Sequence, residues 1–221
     1  MLNVTFEDIK NNEEVKQCII QGDELLKMCG FTEHSFVHAS LVSSRAAKIL
    51  CDLGYSEKYI ELAKIAGYLH DIGNMVNRND HAQSGALLAY NILIRMGMDI
   101  SDITTIASAI GNHDEGTGNA VDPVSAALIL ADKSDVRNTR VRRQNTVTYD
   151  IHDRVNFAVK KSDIIINNEE GKICLNMEID TEISSVMDYF EIFLDRMLMC
   201  RKSAEFFGMK LTIRANNMRL L

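Results

Sequence analysis

One proline in 221 residues is the strongest constraint on how this chain can fold. Sheet-rich folds reverse direction often, and they use proline and glycine to do it. Here Pro123 stands alone and tryptophan is absent. Long helical segments are the alternative, and the apolar spacing supplies them. A pattern over 13–29 stops at Gly30, and a second over 33–53 stops at Gly54, each glycine placed just past a helix end. Ser56 caps a third helix with Ile60, Ala63 and Gly67 on one face. Two more helices run over 80–96 and 101–113. Asp122 followed by Pro123 opens another, through Ala131. Up to this point the body reads as all-alpha.

The character changes near residue 137. Arg137, Arg140, Arg142 and Arg143 crowd together, and a short helix is expected over 150–162. Two β-branched runs, 163–167 and 172–179, flank the turn Asn168-Glu169-Glu170-Gly171 and read as a hairpin. Asp180 or Thr181 caps a long helix to about Phe207, Gly208 ends it, and 210–214 reads as a third strand. The expected fold is mainly α: a helical bundle carrying a small C-terminal ββαβ appendage. Its expected parts are an N-terminal helical segment (1–30), the helical body (31–162) and the appendage (163–221).

Composition narrows the function classes. Lys and Arg total 24 against 31 Asp and Glu, a net charge of −7, which argues against coating nucleic acid. No run approaches the roughly 18 apolar residues of a membrane span. The start, MLNVTFEDIKNNEE, has neither a basic nor an apolar leader region, so a cytoplasmic protein is expected. The five cysteines contain no CxxC pair and read as reduced thiols.

Histidines and aspartates fall where a core should be. Following each stripe at i, i+3 and i+4, one helix begins with His38 and runs through Leu41, Val42 and Ile49. The next ends Ala63, Gly67, His70. Others begin with His81, end with His113, and end with Asp132. One inward histidine is ordinarily a satisfied core residue, but an inward carboxylate needs a cation or several donors. Such positions on five separate helices favour a metal, which offsets the desolvation of all of them together. Asp71 follows His70 directly. Both can face one site only if the helix stops there, and Ile72-Gly73-Asn74 supplies the stop. A carboxylate has two oxygens, so Asp71 can bridge two ions.

The ordered set His38 … His70-Asp71 … Asp132, with HDIG at 70–73 and ADKSD at 131–135, resembles the HD-domain superfamily of metal-dependent phosphohydrolases over roughly residues 30–136. The resemblance implies an HD-domain helical bundle. It implies that His38, His70, Asp71 and Asp132 hold one divalent transition metal ion (Fe, Mn, Co, Ni or Zn) and that His81 and His113, with Asp71 bridging, serve a second. Asp71 is thus the expected catalytic residue. Two features depart from common relatives. Asn74 stands where many phosphodiesterases of the family have Lys, and Asp114 follows His113 where some have a second His. No GYP signature is present, so the cyclic-dinucleotide subgroup is not expected. His34 has three open roles: proton carrier, extra ligand, or a contact at the start of the helix. His152 reads as a surface residue.

Two ions sharing a water can make hydroxide near neutral pH and neutralise phosphoryl oxygens. Lys133, Arg137 and Arg140 are the expected substrate-binding cations, and the glycine-rich stretch 114–122 is expected to close over a ligand. The appendage carries no catalytic constellation. Its helix has a broad apolar face able to cover the body or form a homodimer. The expected function is hydrolysis of a phosphomonoester or phosphodiester in a small phosphorylated metabolite or nucleotide. The alternatives are an HD-type di-iron oxygenase, which uses the same six ligands, and a non-enzymatic ligand-binding or interaction module.

Overall fold

A computed structural model describes residues 4–142 and 151–220; Arg143 and the first residue of the helix expected over 150–162 lie outside them. The helical body comprises α1 (Phe6–Asn11), α2 (Glu13–Met28), α3 (Phe36–Asp52), α4 (Glu57–Leu69), α5 (His81–Met96), α6 (Ile100–Gly111) and α7 (Pro123–Lys133). A single 3-10 turn, Ile72–Met75, follows α4. Most starts are capped as residue type dictates, but Ser56, expected to cap α4, makes no side-chain cap hydrogen bond. Thr5 closes a capping box with Asp8, and Asp122 closes one with Ser125 ahead of Pro123. Ser35 accepts from the Val37 N–H, so α3 begins at Phe36 and His34 precedes the helix.

Helix α7 is the axis of the body. It packs against α3, α4 and α6, and every residue from Val124 to Lys133 is buried. The single stripe expected for it is therefore too narrow, because a helix at the centre of a bundle has no solvent face. Glycine sets the closest approaches. A Cβ on Gly67 would stand 2.7 Å from Ser43 Cα, so this position lets α4 lie directly on α3. A Cβ on Gly73 would stand 2.0 Å from the His81 carbonyl oxygen, so only glycine lets the turn after Asp71 run against the start of α5. No helix among the described residues is long and apolar enough to cross a membrane.

After the body come α8 (Ile151–Ala158), β1 (Val159–Asn167), β2 (Lys172–Ile179), α9 (Val186–Phe206), β3 (Lys210–Ala215) and β4 (Met218–Arg219). The strands form one sheet in the order β1-β2-β3-β4, so the chain as a whole is not all-alpha. The hairpin is antiparallel with Asn167 opposite Lys172, and Gly171 takes a left-handed conformation (φ 62°) in its turn. Strands β2 and β3 are parallel, with α9 as the crossover. The C-terminal unit has four strands rather than three: the pair Asn216-Asn217, both at positive φ, turns the chain back into the short β4. Strand β1 runs directly out of α8, so the boundary expected between residues 162 and 163 falls inside it.

The cap of α9 is Ser185, in a box with Asp188, rather than Asp180 or Thr181. Asp180 instead accepts from the Glu182 N–H in a turn before the helix. Helix α9 is broken at Phe193 (φ −111°, ψ 20°) and packs on α7 as well as on the sheet.

Candidate metal centre

Five elements deliver side chains to one point. His38 comes from the first turn of α3, His70 caps α4, and Asp71 follows it. His81 opens α5, His113 follows α6, and Asp132 is the penultimate residue of α7. The four histidines are between 0% and 3% exposed. Each has its Nδ1 set against an acceptor: His70 on Gly67 O at 2.8 Å, His81 on Arg78 O at 3.0 Å, His113 on Ile110 O at 2.6 Å and His38 on Asp135 Oδ2 at 2.7 Å. Nδ1 therefore carries a proton in each ring, and Nε2, wherever the ring is neutral, presents its lone pair to the centre.

Those lone pairs converge. His38 and His70 Nε2 are 3.2 Å apart, and His81 and His113 Nε2 are 3.1 Å apart. Two neutral imidazole nitrogens at that separation repel unless a proton or a cation lies between them. The donor atoms of His38, His70 and Asp71 lie within 4.8 Å of one another, as do those of His70, His113 and Asp132, and those of Asp71, His81 and His113. Nitrogen and carboxylate oxygen in such groups fit a divalent transition metal.

Asp71 stands between the two pairs. Its Oδ2 lies 3.1 Å from His70 Nε2 and 3.5 Å from His38 Nε2. Its Oδ1 lies 3.4 Å from His81 Nε2 and 3.9 Å from His113 Nε2. Asp132 Oδ1 is 3.4 Å from His38 and 3.6 Å from His70. Burial works against both carboxylates, but the adjoining cations win: chiefly His70 holds Asp71, and chiefly Lys133 holds Asp132, well below the usual range. Burial would also neutralise His70, yet Asp71 and Asp132 outweigh it and raise its pKa to about 10. His113 moves the other way, well below its ordinary value, through burial and the neighbouring His70 charge.

The expected cations separate. Lys133 is buried, 2.8 Å from Asp132 Oδ2 and 3.2 Å from Glu115 Oε2. Arg140 lines the same cavity, tied to the Glu33 carbonyl (2.9 Å) and the Asp135 carbonyl (2.7 Å). Arg137 does not line it. Its guanidinium is bidentate to Asp135 at 2.6 and 3.0 Å, which points it at the residue behind His38. Arg142 pairs with Asp23, away from the centre. His34 reaches the cavity, with Nδ1 on Thr32 O at 2.8 Å and Nε2 4.0 Å from Asp71 Oδ2. Burial, then the charge of Arg140, keeps it neutral. His152 is exposed on α8, outside the cavity.

Three contributors escape a reading by motif. Asn74 donates to Asp71 Oδ1 at 2.9 Å and so orients the central carboxylate. Arg78 Nη1 lies 3.3 Å from His81 Nε2 and 3.9 Å from Asp71 Oδ1, which brings a cation to the side where Asn74 brings none. Arg196, on α9, pairs through Nε with Glu115 Oε1 at 2.7 Å and lines the cavity. The C-terminal unit therefore does supply a side chain here. The signal for Arg78 is its place as the lone arginine between His70 and His81. For Arg196 it is a charge set three residues after Phe193 and four before Cys200, on the buried stripe of α9. The stretch 114–122 is held rather than free: Glu115 joins Lys133 and Arg196, and Gln83 Nε2 donates to Thr117. The cavity itself is small, about 10 Å³.

Residues 35–142 match the family profile of the HD domain. This segment is an HD domain. HD domains bind divalent metal ions and belong to a superfamily of metal-dependent hydrolases, in keeping with the His/Asp clusters found here. The match covers α3 through α7 and ends before α8 and the sheet. The chain is 26% identical over 186 residues to an uncharacterized protein of Methanocaldococcus jannaschii, covering 74% of this chain and 69% of that one. It also aligns with the crystal structure of a predicted HD superfamily hydrolase from an uncultured Thermotogales bacterium, at 27% identity over 56% of this chain and 67% of the other, with a TM-score of 0.44.

Proposed function

We propose that this HD domain hydrolyses a phosphate ester of a small metabolite or nucleotide, with two divalent ions held by His38, His70, Asp71, Asp132, His81 and His113. The observation that carries the reading is the division of Asp71, whose Oδ2 faces the His38/His70 pair and whose Oδ1 faces the His81/His113 pair. A carboxylate split in this way suits a bridging position between two ions. Bound there, such ions would supply an activated water and neutralise phosphoryl charge.

The chain's own residues do the rest. Asn74 fixes the rotation of Asp71. Asp135 fixes the ring of His38. Arg78, Lys133 and Arg140 set positive charge around the cavity, where phosphoryl oxygens need partners. Neutral His34 has Nδ1 occupied by Thr32 O, which leaves Nε2 to accept a proton from water entering the site. The cation-rich lining favours a phosphorylated substrate over the oxygenase reading, since an uncharged organic substrate has no use for it.

The test is hydrolysis by protein loaded with Mn²⁺ of a panel of phosphomonoesters, read as inorganic phosphate, and of a panel of phosphodiesters, read as the phosphomonoester formed. Hydrolysis that depends on the metal and disappears in Asp71→Ala supports the proposal. Metal-loaded protein that hydrolyses neither panel contradicts it.

A further inference from the structure

The HD match ends at residue 142, yet one wall of the cavity comes from α9, far beyond it. We propose that Arg196 is a phosphate-binding residue of this site, so that the C-terminal ββαββ unit completes the substrate pocket of the HD domain. The inference rests on the phosphohydrolase reading above and adds to it a binding residue from outside the HD domain.

Charge is the first reason. Asp132, Lys133, Glu115 and Arg196 form a chain of alternating sign, with contacts of 2.8, 3.2 and 2.7 Å. Glu115 is one carboxylate shared by two cations; the four charges cancel, and the positive end of the chain, Arg196, lines the cavity.

Geometry is the second. Glu115 engages Arg196 through Nε. Among the described residues, the two terminal Nη nitrogens make no hydrogen bond. The contact at Nε is an ion pair without a hydrogen bond, since Glu115 Oε1 accepts none; it leaves the Nη edge of the guanidinium as a fork, the shape that matches two oxygens of a phosphate. The plane is also steadied from behind, because Arg196 Cζ lies 4.6 Å over the ring of Phe193. Phe193 is the residue at which α9 breaks, and it is buried. The break therefore lies in the same turn as the arginine it supports.

Two other cations of the cavity, Lys133 and Arg140, are more fully committed. Lys133 is shared by Asp132 and Glu115, and Arg140 already donates from Nε and one Nη to backbone carbonyls. Arg196 has two donors in reserve and only 28% of its side chain exposed, so an incoming anion meets a partly desolvated partner.

Inorganic phosphate is the probe, titrated calorimetrically into the Mn²⁺-loaded full chain. Arg196→Met keeps the length of the side chain and removes its charge. It is expected to weaken phosphate binding by about tenfold or more, the usual worth of a charge-assisted hydrogen bond, with metal content unchanged. Arg196→Lys keeps the charge without the fork and is expected to fall between Met and wild type. If the Met variant does not fold, the Lys variant carries the test, with binding several-fold weaker than wild type expected. Phosphate affinity equal to wild type in the folded variants overturns the role of Arg196 and leaves the hydrolase reading intact. A metal-loaded wild-type protein that binds no phosphate and hydrolyses no phosphomonoester or phosphodiester overturns both.

Discussion

Asp135 Oδ2 lies 2.7 Å from His38 Nδ1, on the edge of the ring that faces away from Asp71. Asp135 is fully buried, and it also holds Arg137 by two hydrogen bonds and the guanidinium of Arg140 through its carbonyl. Burial opposes its charge, but His38 and the arginines keep it ionised. A buried carboxylate in this position fixes the tautomer of a ligating histidine and makes Nε2 more basic. Asp135→Asn should therefore weaken metal affinity by about 10- to 100-fold while leaving all six inward ligands in place. Competition against a chelator of known affinity measures this, and unchanged affinity would show that Asp135 only supports the arginines.

The two histidine pairs predict different stoichiometries. His81→Ala and His113→Ala each remove a donor from the Oδ1 side of Asp71, although His113 also lies within reach of His70 and Asp132. Each should cost about one bound ion while the fold persists, because these side chains belong to the cavity wall and not to the apolar core. Asp71→Ala should abolish turnover and lower binding on both sides. Elemental analysis with thermal unfolding checks both statements. Full occupancy in the two histidine variants would reduce the centre to a single ion.

Metal uptake should release protons at neutral pH. In the metal-free chain His70 titrates near 10, because Asp71 and Asp132 outweigh its burial. Its raised pKa means that it is protonated at pH 7. The stability this gives the metal-free chain is full below pH about 6.5, the unfolded value, and is lost as pH rises through about 10. An ion needs the neutral ring, so it competes with that proton, and apparent affinity should climb with pH between those limits. Calorimetry in buffers of different ionisation enthalpy should show about one proton or more leaving per chain. Heats that do not depend on the buffer would contradict it.

Thiol chemistry offers an independent check on how α9 sits. Cys200 is 1% exposed, and burial pushes its thiol up to about 12. Cys29 and Cys51 are exposed. At pH 8 a maleimide should modify Cys29 and Cys51 quickly and leave Cys200 intact until the chain unfolds. Fast labelling of Cys200 in the native protein, read by mass spectrometry, would show that α9 does not lie on α7 as described.

The body of the fold and the six inward donors are legible in the sequence because helices advertise themselves by period. A histidine at the end of an apolar stripe stands out from its spacing alone, as His70 does after Ala63 and Gly67. What stays hidden depends on tertiary packing. Arg137 is as near in sequence to Asp132 as a substrate ligand should be, but Asp135 intercepts it. Arg196 is remote in sequence and becomes a neighbour only because α9 crosses α7. The start of α9 is ambiguous in sequence because Asp180, Thr181 and Ser185 are all good cap residues. Ser185 prevails through its box partner, Asp188, three residues on. Strand β4 escapes a reading by pattern because two residues carry none of their own.

The central claim is hydrolysis at phosphorus, and the origin of the new oxygen atom tests it most directly. The protein should be loaded with Mn²⁺, given a phosphate ester from the panel under anaerobic conditions, and run in ¹⁸O-water. Turnover without O₂ is expected, with the label in the phosphate released from a monoester or in the phosphomonoester formed from a diester. Turnover that requires iron and O₂, with label from ¹⁸O₂ appearing in an organic product, would contradict it.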